Sequence, residues 1–243
     1  MKLYKGSTLM MACAVAVMCL GCKVVPGKPG PEAERPTQVL KFSVLYKENC
    51  ASCHGESGRE GAAMSLANPV YLAVAGVDRI QAITANGVAG TLMPGFARSH
   101  GGMLTDEQIA VLARGMELEW GRKDALGGQT APAYASSLAG DSVQGQKAFG
   151  TFCASCHGVD GSGMNSGKIR TGSLVDPAYL ALISDQGLRS LIVAGQPQEG
   201  MPDWRSDVAG TGARPMSDQE ITDIVAWLAS HRIAAPGQPY QHP

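Results

Sequence analysis

One pentapeptide occurs twice in this chain of 243 residues and limits its fold more than any other feature. The sequence Cys-Ala-Ser-Cys-His spans residues 50–54 and again residues 153–157, and glycine follows each copy. The copies lie 103 residues apart (153 − 50), which is far beyond the spacing of a zinc ribbon. A thiol-redox pair would not need the histidine. Both of these alternatives are therefore disfavoured.

A Cys-x-x-Cys-His turn is the attachment signature of a c-type haem. The two cysteines form thioethers with the vinyl groups of one porphyrin, and the adjoining histidine reaches the iron from the proximal side. The sequence therefore predicts two covalently bound haem c groups. The predicted attachment cysteines and proximal histidines are Cys50, Cys53, His54, Cys153, Cys156 and His157.

Each copy is followed by a Met-Pro pair that provides a candidate ligand for the opposite face of the iron. Met93 follows His54 by 39 residues, and Met201 follows His157 by 44. A histidine and a methionine are the haem ligands of cytochromes c. Two alternatives stay open: the methionines fill gaps in the core, or His100 replaces Met93 as the distal ligand.

Composition supports buried haems and disfavours one class of partner. Only 5% of the residues are aromatic, which is little for two separate cores of fewer than 100 residues each. A buried haem would supply the missing apolar surface. The formal net charge of −1 gives no reason to expect a nucleic-acid partner.

The chain contains an internal duplication that extends well beyond the pentapeptide. Residues 66–95 align with residues 174–203 without a gap, and the insertions fall in loops. A stretch of small and polar residues that includes proline and glycine separates the two copies. The predicted segments are a first domain at 39–126, a linker at 127–142, a second domain at 143–236 and a tail at 237–243.

Hydrophobic periodicity predicts short helices in both copies. Thr105 with Gln108, and Ser217 with Glu220, form capping boxes that start a terminal amphipathic helix in each copy. The other predicted helical segments are 39–49, 68–72, 77–86, 145–152 and 188–194.

The first 38 residues indicate export and attachment to a membrane. Residues 1–21 combine a basic start with an apolar stretch, as export signals do. The residues before Cys22 resemble the lipobox of bacterial lipoproteins, which implies lipidation of Cys22. Residues 22–38 are rich in proline and predict a semi-rigid tether. The alternative is cleavage that gives a soluble periplasmic protein.

Residues 39–120 and 143–233 resemble two class I cytochrome c domains in tandem, as in dihaem cytochromes and the cytochrome subunits of respiratory complexes. The resemblance implies an all-α fold, with each domain a small helical bundle around one covalently attached haem. In the family, a backbone carbonyl orients each proximal histidine. Met64 and Gly172 occupy the corresponding positions.

The first copy departs from the family at the crossing of its first and last helices. The family places a glycine eight residues before the first cysteine and packs an aromatic residue of the last helix against it. Gly145 and Trp227 follow this pattern in the second copy. In the first copy the two sizes are exchanged: Phe42 stands where the family has glycine, and Gly115 stands where it has the aromatic residue. We expect Phe42 to fill the space beside Gly115. The alternative is a helix offset by one turn, with Trp120 in this role.

These features predict electron transfer through two His/Met-ligated haems in a carrier that is not itself an enzyme. The resemblance implies redox protein partners, such as a membrane oxidase or a quinol-oxidising complex, on the periplasmic side of a bacterial membrane. The alternative is a dihaem enzyme, a peroxidase or small-molecule oxidase, in which one iron has an open or labile distal position.

Overall fold

The computed structural model describes residue 30 and residues 32–167, 169–206 and 214–233. The predicted export signal at 1–21, Cys22 and the predicted tail at 237–243 lie outside these residues. Within the described part of residues 1–38 there is one short 3-10 turn, Pro36–Gln38. Within the described residues, no helix has both the length and the apolar character that a membrane crossing requires.

The first copy folds into helices joined by loops, with no strand longer than an isolated bridge among its described residues. Its α-helices are α1 (Phe42–Asn49), α2 (Ala51–His54), α3 (Pro69–Asn86) and α4 (Asp106–Trp120). Helix α1 begins at Phe42, three residues later than predicted. The Val39 carbonyl accepts a hydrogen bond from Gln108 Nε2 at 3.1 Å, which ties this segment to the start of α4.

The two helices predicted at 68–72 and 77–86 form a single kinked element, α3. Asn68 caps its start, and Gly76 interrupts it with φ 71° and ψ 160°. Only glycine adopts such angles at little cost, so Gly76 marks the boundary between the two predicted helices.

The second copy repeats this order and adds a small antiparallel hairpin. Its helices are α5 (Ser142–Phe152), α6 (Ala154–His157), α7 (Pro177–Leu182), α8 (Asp185–Ala194) and α9 (Asp218–Ser230). Strands β1 (Met164–Ser166) and β2 (Ile169–Thr171) form the hairpin. They occupy the insertion that follows the second pentapeptide, where the sequence indicated only a loop. Both predicted capping boxes are present, at Thr105 and Ser217.

The core of each copy forms where its last long helix crosses its first. In the second copy, a Cβ atom at Gly145 would overlap the Asp223 carbonyl, and the Phe149 and Trp227 rings lie 4.4 Å apart. In the first copy, a Cβ atom at Gly115 would overlap the Phe42 ring. The expected exchange of large and small residues is therefore confirmed.

Trp120 adds to the exchanged pair instead of replacing Phe42. Its ring packs edge-on against Phe42 at 5.6 Å and against Tyr46 at 5.0 Å, measured between centroids. The alternative of a helix offset by one turn is therefore wrong.

Candidate functional site

Each pentapeptide forms one helical turn that directly continues the preceding helix. In the first copy, the backbone N–H groups of Cys53 and His54 donate to the Cys50 carbonyl at 3.2 and 3.0 Å. Gly55, with φ 80°, then ends the turn. The equivalent turn in the second copy has bonds of 3.1 and 2.9 Å to the Cys153 carbonyl. The two cysteines and the histidine of each copy are therefore brought together on a single turn.

The four pentapeptide cysteines are free of disulfides. Burial raises the pKa of Cys50 and of Cys153 to about 12, and the neighbouring thiol in each pair adds to the effect. These sulfur atoms are therefore uncharged near neutral pH.

His54, the predicted proximal histidine of the first copy, is buried and held by the loop that follows it. His54 is 8% exposed, and its Nδ1 atom lies 2.8 Å from the Met64 carbonyl oxygen. Because a carbonyl only accepts, Nδ1 carries the proton and Nε2 keeps its lone pair. Burial lowers the pKa of His54, and the bond to Met64 partly opposes this, so the ring is a neutral nitrogen donor.

His157, the predicted proximal histidine of the second copy, lacks the equivalent bond to Gly172. His157 Nδ1 is buried and has no hydrogen-bond partner among the described residues. The expectation that the Gly172 carbonyl orients this histidine is therefore wrong. Thr171, beside Gly172, instead donates its hydroxyl to the Cys156 carbonyl at 2.6 Å and accepts a bond from the Met164 N–H. These two bonds connect β2 to the second pentapeptide turn and to β1.

Each Met-Pro pair lies in a tight loop that closes on a glycine at the end of a helix. In the first copy the Val88 N–H donates to the Met93 carbonyl at 3.0 Å. In the second copy Gln196 and Met201 exchange both backbone bonds, at 2.9 and 3.1 Å. Met93 and Met201 are both half-buried.

The glycines under these loops cannot be replaced without moving the backbone. A Cβ atom at Gly87 would lie 2.6 Å from Pro94 C, and one at Gly195 would lie 2.6 Å from Pro202 C. Both glycines also have positive φ, 73° and 64°. The two Met-Pro loops are therefore built in the same way.

Two histidines outside the pentapeptides, His100 and His231, lie in different settings. His100 is exposed, and its Nδ1 atom lies 3.0 Å from the Ser99 hydroxyl. His231 ends α9, where its Nδ1 lies 2.9 Å from the Trp227 carbonyl and its ring packs edge-on against the Trp227 ring.

Sequence reasoning missed two residues, one that connects the copies and one that binds the segment between them. Asn68, whose equivalent in the second copy is Asp176, donates its side-chain amide to the carbonyls of Ala194 and Gly195. Arg189 is 4% exposed and binds the linker carbonyl of Ala133. The substitution of Asn for Asp in aligned positions was a usable signal for Asn68. An arginine in an amphipathic helix gave no such signal.

The residues present fit a c-type haem. In each copy two cysteines free of disulfides and one histidine lie on one helical turn, and His54 Nε2 is left as a nitrogen donor by the bond at Nδ1. When bound, the haem supplies an iron that gains and loses one electron reversibly. The protein residues would hold it, orient it and limit access to it.

Two family models match parts of the chain that together contain both pentapeptides. The model described as cytochrome c matches residues 142–232. The model described as cytochrome c oxidase, cbb3-type, subunit III matches residues 38–114. No curated protein matches the chain.

The solved structures that match include a Kuenenia stuttgartiensis reducing HAO-like protein complex, Kustc0457/Kustc0458. The sequence identity is 17% and the TM-score is 0.45. The match covers 79% of this chain and 96% of that one.

Proposed function

Because the chain is a c-type cytochrome with two cytochrome c domains, we propose that it transfers electrons through two covalently bound haems, each ligated by histidine and methionine. The observation that carries the proposal is the common construction of the two sites. Each has a Cys-x-x-Cys-His turn and a Met-Pro loop closed on a glycine. We assign His54 with Met93 to one iron and His157 with Met201 to the other.

This ligation suits a carrier better than an enzyme. An iron with two protein ligands has no free position, so the oxidised and reduced states interconvert without making or breaking a bond to substrate. His54 with Met93 and His157 with Met201 would hold the two haems, which would supply one-electron exchange between a donor and an acceptor. Thioether sulfur stabilises the reduced iron, and burial disfavours the extra positive charge of the oxidised iron, so both raise the potential.

Methionine variants of the two-haem protein test the ligand assignment. Met93→Ala and Met201→Ala should each remove about half of the methionine-to-iron charge-transfer absorption of the oxidised protein and lower one of its two potentials. Met103→Ala is the matched control, because Met103 is a loop methionine of the first domain with 84% of its surface exposed. It should change neither property.

The methionine assignment fails if Met93→Ala leaves the spectrum of the oxidised protein unchanged. His100→Ala then distinguishes the remaining candidate in the first domain. A loss of the low-spin spectrum in that variant would assign the iron to His100 in place of Met93.

We also propose that the protein acts at the periplasmic face of a bacterial membrane, anchored by lipid on Cys22. The lipobox-like residues before Cys22 and the proline-rich tether at 22–38 support this. Mass spectrometry of the mature N-terminus should find acyl chains on Cys22, and Cys22→Ser should release the protein from membranes. An unmodified Cys22 in the mature protein would contradict the anchor.

A membrane oxidase or quinol-oxidising complex is the partner we propose. The family model that matches residues 38–114 is described as an oxidase subunit, which supports an oxidase on the acceptor side. The reduced protein should be oxidised by membranes that contain such an enzyme, and cyanide should stop the reaction. Oxidation that continues at an undiminished rate in cyanide would exclude a terminal oxidase as the acceptor.

A further inference from the structure

Asn68 uses both ends of its side-chain amide, one in each domain. Its Oδ1 accepts from the N–H groups of Val70 and Tyr71 at 2.9 and 3.2 Å, which caps α3. Its Nδ2 donates to the Ala194 and Gly195 carbonyls at the end of α8, at 3.1 and 3.0 Å. Two donors on one side and two carbonyls on the other fix the orientation of the amide. The side chain is buried, with 4% of its surface exposed.

Comparison with Asp176, the equivalent residue of the second domain, shows which of the two roles of Asn68 requires an amide. Asp176 caps α7 with bonds of 2.9 and 3.0 Å, and it is exposed. A carboxylate therefore caps this position adequately, as is general for N-caps. An ionised carboxylate has no N–H to donate, so an aspartate at position 68 would put oxygen against two carbonyl oxygens. The amide at position 68 is thus required by the contact with the second domain and not by the helix.

The loop that follows Gly195 makes a second contact with the first domain, close to its other end at Arg205. Arg205 pairs with Asp203 and donates to the Ala125 carbonyl at 3.3 Å. Its guanidinium also packs over the Trp204 ring, 4.8 Å from the centroid. The segment from Gly195 to Arg205 is therefore held at both ends by the first domain.

Met201 lies between these two contacts. It pairs with Gln196 directly after Gly195, and Trp204 donates its N–H to the Val193 carbonyl at 3.2 Å. On the first-domain side, Asn68 is four residues from Met64, whose carbonyl binds His54. A short path of chain and hydrogen bonds thus joins the proximal residue of one site to the distal residue of the other.

We propose that Asn68 is a positioning residue through which the first domain holds the Met201 loop in place for the second iron. The proposal rests on the ligand role assigned to Met201 above. Fixing the ends of a loop reduces the number of conformations in which its methionine lies away from the iron. The second iron should therefore resist external ligands more strongly than its own domain alone would allow.

The test is imidazole binding to the oxidised two-haem protein. Asn68→Asp keeps the cap and removes the two interdomain donors. Its second haem should bind imidazole about tenfold more tightly, a change of about 1.4 kcal/mol, while the first haem is unchanged. Asp176→Asn makes the reverse change at the exposed cap and should leave both haems unchanged.

Asn68→Ser tests the same contact without introducing a charge, because serine also caps helices. It should loosen the second haem in the same direction. Hydrogen exchange of residues 196–204 should quicken in both Asn68 variants, which reports on the loop independently of the haem. Should wild type and both Asn68 variants bind imidazole equally at the second haem, the proposal is overturned.

The methionine-to-iron absorption of the second haem separates the positioning role of Asn68 from the ligand role of Met201. If the wild-type second haem already lacks the methionine-to-iron absorption, the ligand assignment is wrong. If wild type has that absorption and the Asn68 variants keep it with unchanged imidazole affinity, only the positioning role is wrong.

Discussion

The two histidines proposed as proximal ligands differ in one hydrogen bond, and this difference should separate the two haem potentials. His54 Nδ1 is bonded to the Met64 carbonyl, whereas His157 Nδ1 has no partner among the described residues. A bond at Nδ1 raises the basicity of the ligating nitrogen and so favours the oxidised iron. We expect the haem of the first domain to have the lower potential.

Potentiometric titration of the wild-type protein should therefore show two steps. Met201→His replaces thioether by imidazole and should move only the step of the second haem, which assigns it. A higher potential for the first haem would contradict the role given to the Met64 carbonyl.

At the crossing of α1 and α4, the exchange of Phe42 and Gly115 predicts a non-additive pair of substitutions. Gly115→Ala should destabilise the protein by about 1–3 kcal/mol, because the new Cβ overlaps the Phe42 ring. In a Phe42→Ala background the same change should cost little, and urea unfolding of the four variants measures the difference.

Gly150→Ala is the control for the Gly115 substitution. Gly150 lies inside α5 with open space where a Cβ would be placed, so alanine should stabilise this helix by about 0.5–1 kcal/mol. Equal costs for Gly115→Ala with and without Phe42 would contradict the exchange.

At the scale of elements, the capping box of α9 carries a carboxylate with a strongly shifted pKa. Hydrogen bonds from Arg214, with smaller contributions from Ser217, lower the pKa of Glu220 from 4.5 to about 2. A group whose folded pKa is depressed stabilises the fold above its unfolded pKa and loses this contribution as the pH falls toward the folded value. Stability should therefore fall between pH 4.5 and about 2.

Urea unfolding of wild type and Glu220→Gln over this pH range checks the capping-box prediction. The variant should lack part of the wild-type fall, and Arg214→Gln should reduce it as well, because the bond from Arg214 is the main cause of the shift. Parallel stability curves for wild type and Glu220→Gln would contradict it.

Local patterns in the sequence predicted most elements, and each exception has a physical cause. The capping boxes at Thr105 and Ser217 were recognisable because their residues lie three apart. The hairpin at 164–171 was missed because its strands have only three residues each, too few for a periodic pattern. The start of α1 was misplaced because the bond from Gln108 to Val39 joins residues 69 positions apart.

In the candidate sites too, the contiguous motifs were predictable from the sequence, whereas the contacts between distant residues were not. The Cys-x-x-Cys-His turns are contiguous in sequence, and their geometry follows from one turn of helix. The missing bond at His157 Nδ1 depends on where β2 places Thr171 and Gly172, which spacing alone does not specify. The bonds from Asn68 to Ala194 and from Arg189 to Ala133 join residues 126 and 56 positions apart, so only the folded chain shows these partners.

At the scale of the molecule, Arg189 fixes the linker between the domains. It donates to the Ala133 carbonyl at 2.8 Å and to the Tyr134 carbonyl at 3.2 Å, and it pairs with Asp218. Arg189→Ala should cost about 2–3 kcal/mol. This is less than the loss of a fully buried pair, because the Asp218 side chain is 35% exposed and water can solvate it.

The Arg189→Ala variant should also be cleaved faster by protease within residues 127–140, because the freed linker leaves the surface more often. Arg122→Ala is the control. Its pair with Asp124 is exposed, at 68% and 84%, and its loss should change little. An unchanged cleavage rate in Arg189→Ala would show that other contacts hold the linker.

In the proposed electron carrier, protein ligands close both irons. Carbon monoxide binding to the reduced two-haem protein, followed by absorbance, tests it most directly, because carbon monoxide binds only an iron with an open or labile position. We predict no spectral change at either haem, with Met93 and Met201 retained. Binding at one haem would contradict the claim and favour an enzyme, and peroxide turnover would then be the next measurement.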